Sequence, residues 1–483
     1  MRSPLLALLL SLQPAQAAPC ESLAALALPD TTITLAASVP AGPDLPAYCR
    51  VAATLRPTED SDIKIEVWMP ASSWNGKFQA VGNGGWAGSI SYPAMSQALR
   101  RGFATTSTDT GHTGTGGKFA LRHPGKLLDF GYRAVHEMTA KAKQIVTAFY
   151  GNGPKFSYWN GCSTGGRQAL MEAQRFPGDY DGIIAGAPAN FRTHLVIGGL
   201  WRAHAALKDP ASYIPKEKYP LLHKAALEAC DRIDHIQDGL IDDPTRCFFD
   251  PKALLCKEGE TAGCLAAPQV EAVRKVYAPA RNPRTGKEIF PGLEPGSELG
   301  WAASVGGPEP YATAVDHFKY VVFQDPNWDW RTFNFDSHVA LTDKMDPGIN
   351  ATDPNLTRFL GRGGKLLMYH GWSDPLIAPQ NSVNYYQSVV DTMGAAKTAD
   401  SVRLFMAPGV GHCRGGEGPD QFDMVSAIEQ WVEQGKAPDR ILASRITNGT
   451  TERTRPLCPY PQVARFKGGG SPDDAANFAC QAR

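Results

Sequence analysis

The 483-residue chain carries no surplus charge, since 48 lysines and arginines stand against 48 aspartates and glutamates. It therefore has neither the basic footprint of a nucleic-acid binder nor the pull toward an anionic membrane, and neither partner is expected. Beyond its first residues the chain also lacks any stretch near the roughly 18 consecutive apolar residues that a membrane span requires. Internal repeats and low-complexity tracts are missing as well. None of the ten cysteines sits in C-x-x-C spacing, which argues against a thiol oxidoreductase.

Arg2 precedes the apolar run Leu5 to Leu10, and Ala15-Gln16-Ala17 is an A-x-A cleavage site. Residues 1–18 thus read as a signal peptide cut after Ala17 or Ala18, with the mature protein secreted or periplasmic. An even ten cysteines in an exported chain imply disulfides rather than a metal cluster. The length exceeds one typical hydrophobic core, so two domains are expected.

The chemistry concentrates in a few short motifs. Gly161-Cys162-Ser163-Thr164-Gly165 is a G-x-S-x-G pentapeptide, whose glycines permit the strained strand-to-helix turn that lifts a serine oxygen clear. The context agrees: Lys155 to Trp159 is a short β-prone run, and Leu170, Ala173 and Phe176 follow at helical spacing. Ser163 is the expected nucleophile. Catalytic triads of the α/β-hydrolase type run in the order Ser, acid, His. Lys365 to His370 reads as a buried strand entering Gly371-Trp372-Ser373-Asp374-Pro375, which puts Asp374 just past a strand's carboxyl end. A helical stretch from Gln380 to Met393 and a strand from Val402 to Met406 then deliver the loop Gly409 to Cys413. Asp374 is the expected acid and His412 the expected base, with Asp129 and His370 as rivals. Cys162 precedes the serine and Cys413 follows the histidine. If these two are bonded, their Cα atoms lie roughly 4.4–6.8 Å apart and Ser163 stands beside His412.

A tetrahedral oxyanion needs preorganised donors. One is expected from the N–H of Thr164. The other is expected from Gly84 or Gly85, in the glycine-rich run Gly82 to Trp86 that follows the strand Phe78 to Val81.

Together the Cys-Ser and His-Cys pairs, the stretch Gly161 to Gln168, the loop His370 to Asp374 and the loop Gly411 to Cys413 resemble the tannase and feruloyl esterase family. The likeness covers nearly the whole mature chain. It implies an α/β fold, an α/β-hydrolase core with a large inserted lid domain and a structural calcium ion. The implied activity is hydrolysis of small esters of aromatic acids such as ferulate and gallate, with terephthalate monoesters as the alternative. Family and locality also suggest the pairings Cys20–Cys49, Cys162–Cys413, Cys230–Cys247, Cys256–Cys264 and Cys458–Cys480.

The segment Cys230 to Pro244 crowds acids around Gly239, supplying the oxygen ligands that a hard cation prefers, without the spacing or closing glutamate of an EF-hand. By the resemblance, Asp231, Asp234 and Asp238 are carboxylate ligands, and Ile236 and Leu240 contribute carbonyls. The catalytic elements fall in 19–190 and 360–483. Residues 191–359, rich in Trp, Pro and Cys, read as the lid. Within it, Trp328, Trp330, Arg331 and Phe333 are candidates to meet an aromatic acyl group, although the commoner fate of such residues is a lid core. A serine peptidase and a noncatalytic binding module are the remaining readings; the first lacks any peptide-anchoring feature, and the second would be expected to have lost a triad member.

Overall fold

The computed structural model describes residues 17–86 and 88–483. Almost all of the expected signal peptide lies outside the described residues.

Nine strands form one sheet: β1 (Thr31–Val39), β2 (Tyr48–Leu55), β3 (Ile63–Pro70), β4 (Lys77–Val81), β5 (Ala104–Thr108), β6 (Phe156–Cys162), β7 (Gly182–Gly186), β8 (Lys365–Gly371) and β9 (Val402–Ala407). Their spatial order is β1-β2-β3-β5-β4-β6-β7-β8-β9. The first three strands and β5 pair antiparallel in sequence across the sheet, and from β5 through β9 every pairing is parallel. Parallel strands need helical crossovers, which cover both faces of the sheet. Consecutive core residues accordingly face opposite ways: Trp159, Ile183, Met368 and Leu404 join one cluster with the helices α2 (Ala134–Tyr150), α3 (Thr164–Arg175) and α7 (Gln380–Met393). Tyr158, Ile184, Leu367 and Phe405 join the other, with α1 (Tyr92–Arg100) and α8 (Met424–Gln434). The strands expected from sequence are present to within a few residues. β1 and β2 were not expected. β1 is an edge strand that is half exposed along its length, so it shows little of the apolar patterning that marks a buried strand.

Between β7 and β8 the chain leaves the sheet. Residues 191–359 hold α4 (Arg192–Ala206), α5 (Tyr219–Cys230), α6 (Ala267–Tyr277) and several shorter helical turns, with one small hairpin at 280–290. This segment builds apolar clusters of its own, one around Leu222, Val273 and Trp301 and another around Leu200, Phe318 and Phe333. After α8 come a hairpin, β10 (Ile441–Thr447) with β11 (Thr450–Leu457), and then a second, Val463–Phe466 with Phe478–Gln481.

Five disulfides use all ten cysteines in the pairing that family and locality suggested. Among the described residues, no helix is long and apolar enough to cross a membrane.

Candidate active site

In open α/β sheets, functional groups gather beyond the carboxyl ends of parallel strands. Here β4, β6, β8 and β9 each end in a loop carrying one expected site element: Gly82 to Trp86, Ser163, Asp374 and His412.

Ser163 stands between β6 and α3 with φ +64° and ψ −121°, a conformation that L residues adopt only where the surroundings enforce it. Those surroundings are visible. Its N–H donates to Gly186 O at 2.9 Å, and its carbonyl accepts from Arg167 N at 3.0 Å and Ala189 N at 3.1 Å. A Cβ at Gly161 would come within 2.6 Å of Gly165 O, and one at Gly82 within 2.5 Å of Gly165 Cα. The glycines are therefore demanded by contact between the elbow and the neighbouring loop.

That neighbouring loop is pinned to the elbow. Gly165 N donates to Asn83 O at 2.8 Å, and Thr164 Oγ1 donates to Gly85 O at 2.7 Å. Gln168 grips Asn83 twice, accepting from its N–H at 3.1 Å and donating to Oδ1 at 3.0 Å, while Asn83 Nδ2 donates to Thr108 O at 2.8 Å. As first residue of α3, Thr164 has no intrahelical acceptor for its N–H. Gly85 adopts φ +57° with open space where a Cβ would sit, whereas Gly84 is not in the left-handed region. Asn83 and Gln168 were not singled out from sequence. Gln168 lies in the stretch Gly161 to Gln168 and Asn83 in the run Gly82 to Trp86, but nothing in either motif marks the two as partners.

Asp374 is fully buried and accepts four hydrogen bonds. Oδ2 receives His412 Nδ1 at 2.7 Å and His370 Nε2 at 3.0 Å, and Oδ1 receives Leu376 N at 2.8 Å and Ile377 N at 3.0 Å. Burial alone would raise its pKa, but the His412 charge and the two imidazole hydrogen bonds hold the carboxyl well below the usual range. His412 is pulled down by burial and up by the Asp374 charge and hydrogen bond, and the upward pull wins. The bond at Nδ1 leaves Nε2 as the nitrogen open to another partner. The Cys162–Cys413 bond, with Cα atoms 6.0 Å apart, ties the residue before Ser163 to the residue after His412.

The rivals are occupied elsewhere. His370 has no exposure and bonds Ser382 Oγ through Nδ1 at 2.7 Å, so it sits behind Asp374 as a second support. Asp129 pairs with Arg133 Nε at 2.5 Å and accepts from Ser61 Oγ at 3.2 Å.

A cavity of about 410 Å³ opens beside His412. Ser373, Pro375, Arg414 and Glu417 line it from the catalytic side, and His223, Leu299 and Ala303 from the lid. None of Trp328, Trp330, Arg331 or Phe333 lines it. Trp330 and Phe333 are buried in the lid's own cluster, Phe333 against Phe318 with ring centroids 4.7 Å apart. Trp328 stacks on Phe323, and Arg331 lies over Trp330 beside Asp329. Trp330 and Phe333 thus pack the lid's interior, the commoner use of clustered aromatics, whereas the Arg331 side chain is exposed and lines a separate surface cavity with Trp328 and Trp330.

The acidic loop lies at the seam between lid and hairpin. Asp231, Asp234 and Asp242 are buried, and the Asp238 side chain is 2% exposed against Arg455. Arg453 Nη2 donates to Asp238 O at 2.8 Å. Burial, with a further push from the Asp238 charge, raises the Asp234 carboxyl to about 6. Burial raises Asp242 to about 7, with Asp234 and Asp243 adding to it against the pull of Arg455. Among the described residues, Asp242 Oδ1 has no hydrogen-bond partner. Several buried carboxylates thus share few cations, and the donor set of carboxylates and loop carbonyls fits a hard divalent ion. A second cluster, His136, Glu172 and Asp179, brings its ligand atoms within 4.8 Å of one another. There His136 Nδ1 already bonds the Asp179 carboxyl at 2.7 Å, and Lys143 Nζ bonds the Asp179 backbone carbonyl, so protein side chains already partner Asp179.

Comparison with known proteins places this geometry. The family model described as tannase and feruloyl esterase matches residues 49–481. An uncharacterized esterase of Xanthomonas campestris is 40% identical, over 96% of this chain and 91% of that protein. The crystal structure of feruloyl esterase B from Aspergillus oryzae superposes with a TM-score of 0.91 at 32% identity, covering 96% of this chain and 99% of that one. Tannin acyl hydrolase from Aspergillus niger shares the fold, with a TM-score of 0.79 at 21% identity and 97% and 94% coverage. With its elbow serine, buried Asp–His pair and cysteine-bridged loops, the chain belongs to the tannase and feruloyl esterase family and is a carboxylic ester hydrolase.

Proposed function

We propose that the protein hydrolyses small esters of aromatic acids, of the hydroxycinnamic or gallic type, through an acyl-enzyme on Ser163. The observation that carries the reading is the bond from His412 Nδ1 to the buried Asp374, on a loop bridged by Cys413 to the residue beside the elbow serine.

In this mechanism His412 Nε2 takes the Ser163 proton as Oγ attacks the acyl carbon, and Asp374 holds the tautomer and stabilises the imidazolium. The N–H groups of Thr164 and Gly85 receive the oxyanion, each such donor being worth about 2.7–4 kcal/mol. Collapse of the intermediate expels the alcohol, which takes its proton from His412. Water, activated by the same base, then releases the acid and regenerates Ser163. Monoesters of terephthalate are a narrower alternative within the same chemistry.

A structural calcium ion would be held by Asp231, Asp234 and Asp238 with the carbonyls of Ile236 and Leu240. It would neutralise buried carboxylates at the seam and supply no catalytic step. Five disulfides, together with the A-x-A signal, support an exported protein. Ser163→Ala tests the reading: it should abolish hydrolysis of methyl ferulate and methyl gallate while leaving the melting temperature near that of the wild type. Retained turnover would sink the mechanism.

A further inference from the structure

The loop that carries His412 is poor in intrinsic order. Between Pro408 and Phe422 it holds five glycines, at 409, 411, 415, 416 and 418. Glycine loses more conformational freedom on ordering than any other residue, so such a loop keeps one shape only if its arms are pinned. The outgoing and returning arms pair with each other: Gly411 N donates to Gly415 O, and Glu417 N donates to Gly409 O, both at 2.9 Å. His412 lies near the tip, and Cys413 secures the tip to β6.

The returning arm has two further anchors: Arg445 Nη1 on β10 donates to Gly416 O at 2.9 Å, and the lid holds Glu417. Glu417 Oε2 accepts from His223 Nε2 at 2.5 Å, and His223 Nδ1 donates to Glu298 Oε2 at 2.9 Å. Glu298 has no exposure and is itself immobilised by Tyr277 Oη at 2.7 Å and Gly296 N at 2.8 Å. A neutral imidazole has one N–H, so facing carboxylates from both ring nitrogens calls for the imidazolium. The two acidic partners outweigh burial and raise His223 to about 9. A rigid cation on α5 is thus presented to the arm that returns from His412. His223 and Glu417 also line the cavity beside His412, where lid meets catalytic loop.

We propose that His223 and Glu417 are positioning residues that clamp the His412 loop to the lid, so that the base is held in register with Ser163 and with the cavity beside it. The inference rests on the assignment of His412 as the base. It adds a requirement that the triad alone does not contain, namely that the lid holds the base in place.

The effect should appear in turnover. A misplacement of about 1 Å costs on the order of a hundredfold in rate, whereas loss of a mere cavity-lining contact raises KM alone. Glu417→Ala should lower kcat on methyl ferulate about 10- to 100-fold with KM changed less than about threefold. Glu417→Gln, which keeps a hydrogen-bond acceptor, should recover much of that loss. His223→Gln should lower kcat similarly, and combining it with Glu417→Ala should add little further loss, since both break one clamp. Glu417 has a 45% exposed side chain on a loop, so its variants fold even if His223→Gln does not. The proposal is overturned if Glu417→Ala keeps wild-type kcat, if only KM rises, or if the two single losses multiply in the double variant. Ser163→Ala separates the cases: activity surviving there refutes the triad reading, whereas a dead Ser163→Ala beside fully active Glu417→Ala refutes the clamp alone.

Discussion

Removing the Cys162–Cys413 bridge should damage catalysis and stability by separable amounts. The bond closes a 251-residue separation, for which the chain-entropy relation gives about 5.5 kcal/mol. The Cys256–Cys264 bond spans 8 residues and gives about 2.5 kcal/mol by the same relation. Against a typical total of about 5–15 kcal/mol, the first loss is large but survivable at low temperature. The catalytic effect has a different origin. Ser163 at φ +64° and Cys413 at φ +65° both hold left-handed backbone conformations, each of which costs of order 1–3 kcal/mol and persists only under constraint. Without the bridge, residue 413 is free to relax toward negative φ, and His412 swings with it. A Cys162→Ala, Cys413→Ala double variant should therefore lose about a hundredfold in kcat at temperatures where circular dichroism shows it folded. A Cys256→Ala, Cys264→Ala variant should keep wild-type kcat and lose only melting temperature. Full turnover in the first variant, with only its melting point lowered, would show that the bridge is a staple and that the triad loops position themselves.

Asp374→Asn should keep the Leu376 and Ile377 hydrogen bonds through its remaining oxygen, yet it turns a donor toward His412 Nδ1. The proton is then forced onto Nε2, and kcat should fall by about 10⁴, or about 5.4 kcal/mol of barrier; a loss below tenfold in stopped-flow assays would refute the role of Asp374. The raised pKa of His412 predicts that kcat/KM falls as pH drops, because the base must be neutral in the free enzyme, and that this limb lies above the ordinary histidine value of about 6.5. An acid limb well below that value would contradict the Asp374–His412 coupling. Chelation should lower the melting temperature, since an ion present at 100 times its Kd stabilises the fold by about 2.7 kcal/mol. Asp234→Asn should abolish that response. A calcium-free purified protein whose melting point is unmoved by chelator would rule the ion out.

Much of the candidate site was local enough to read along the chain. The elbow is a recognisable pentapeptide, and Asp374 and His412 each lie in a loop shortly after an apolar strand. The strands themselves showed as short β-prone runs, because buried parallel strands are apolar on both faces. The pairing of cysteines also came within reach, through locality and the resemblance. What the sequence could not carry was anything set by two distant segments meeting. His412 and His370 differ in that one imidazole lies toward the cavity and the other behind Asp374, a difference of packing and not of residue type. That Gln168 grips Asn83, and that His223 reaches Glu417 from 194 positions away, is a pairing that neither partner's own sequence neighbourhood records. The lid aromatics Trp330 and Phe333 offered the same composition whether they faced a ligand or one another. Only the folded packing, which gives them Phe318 and Leu200 as neighbours, spends them on the core.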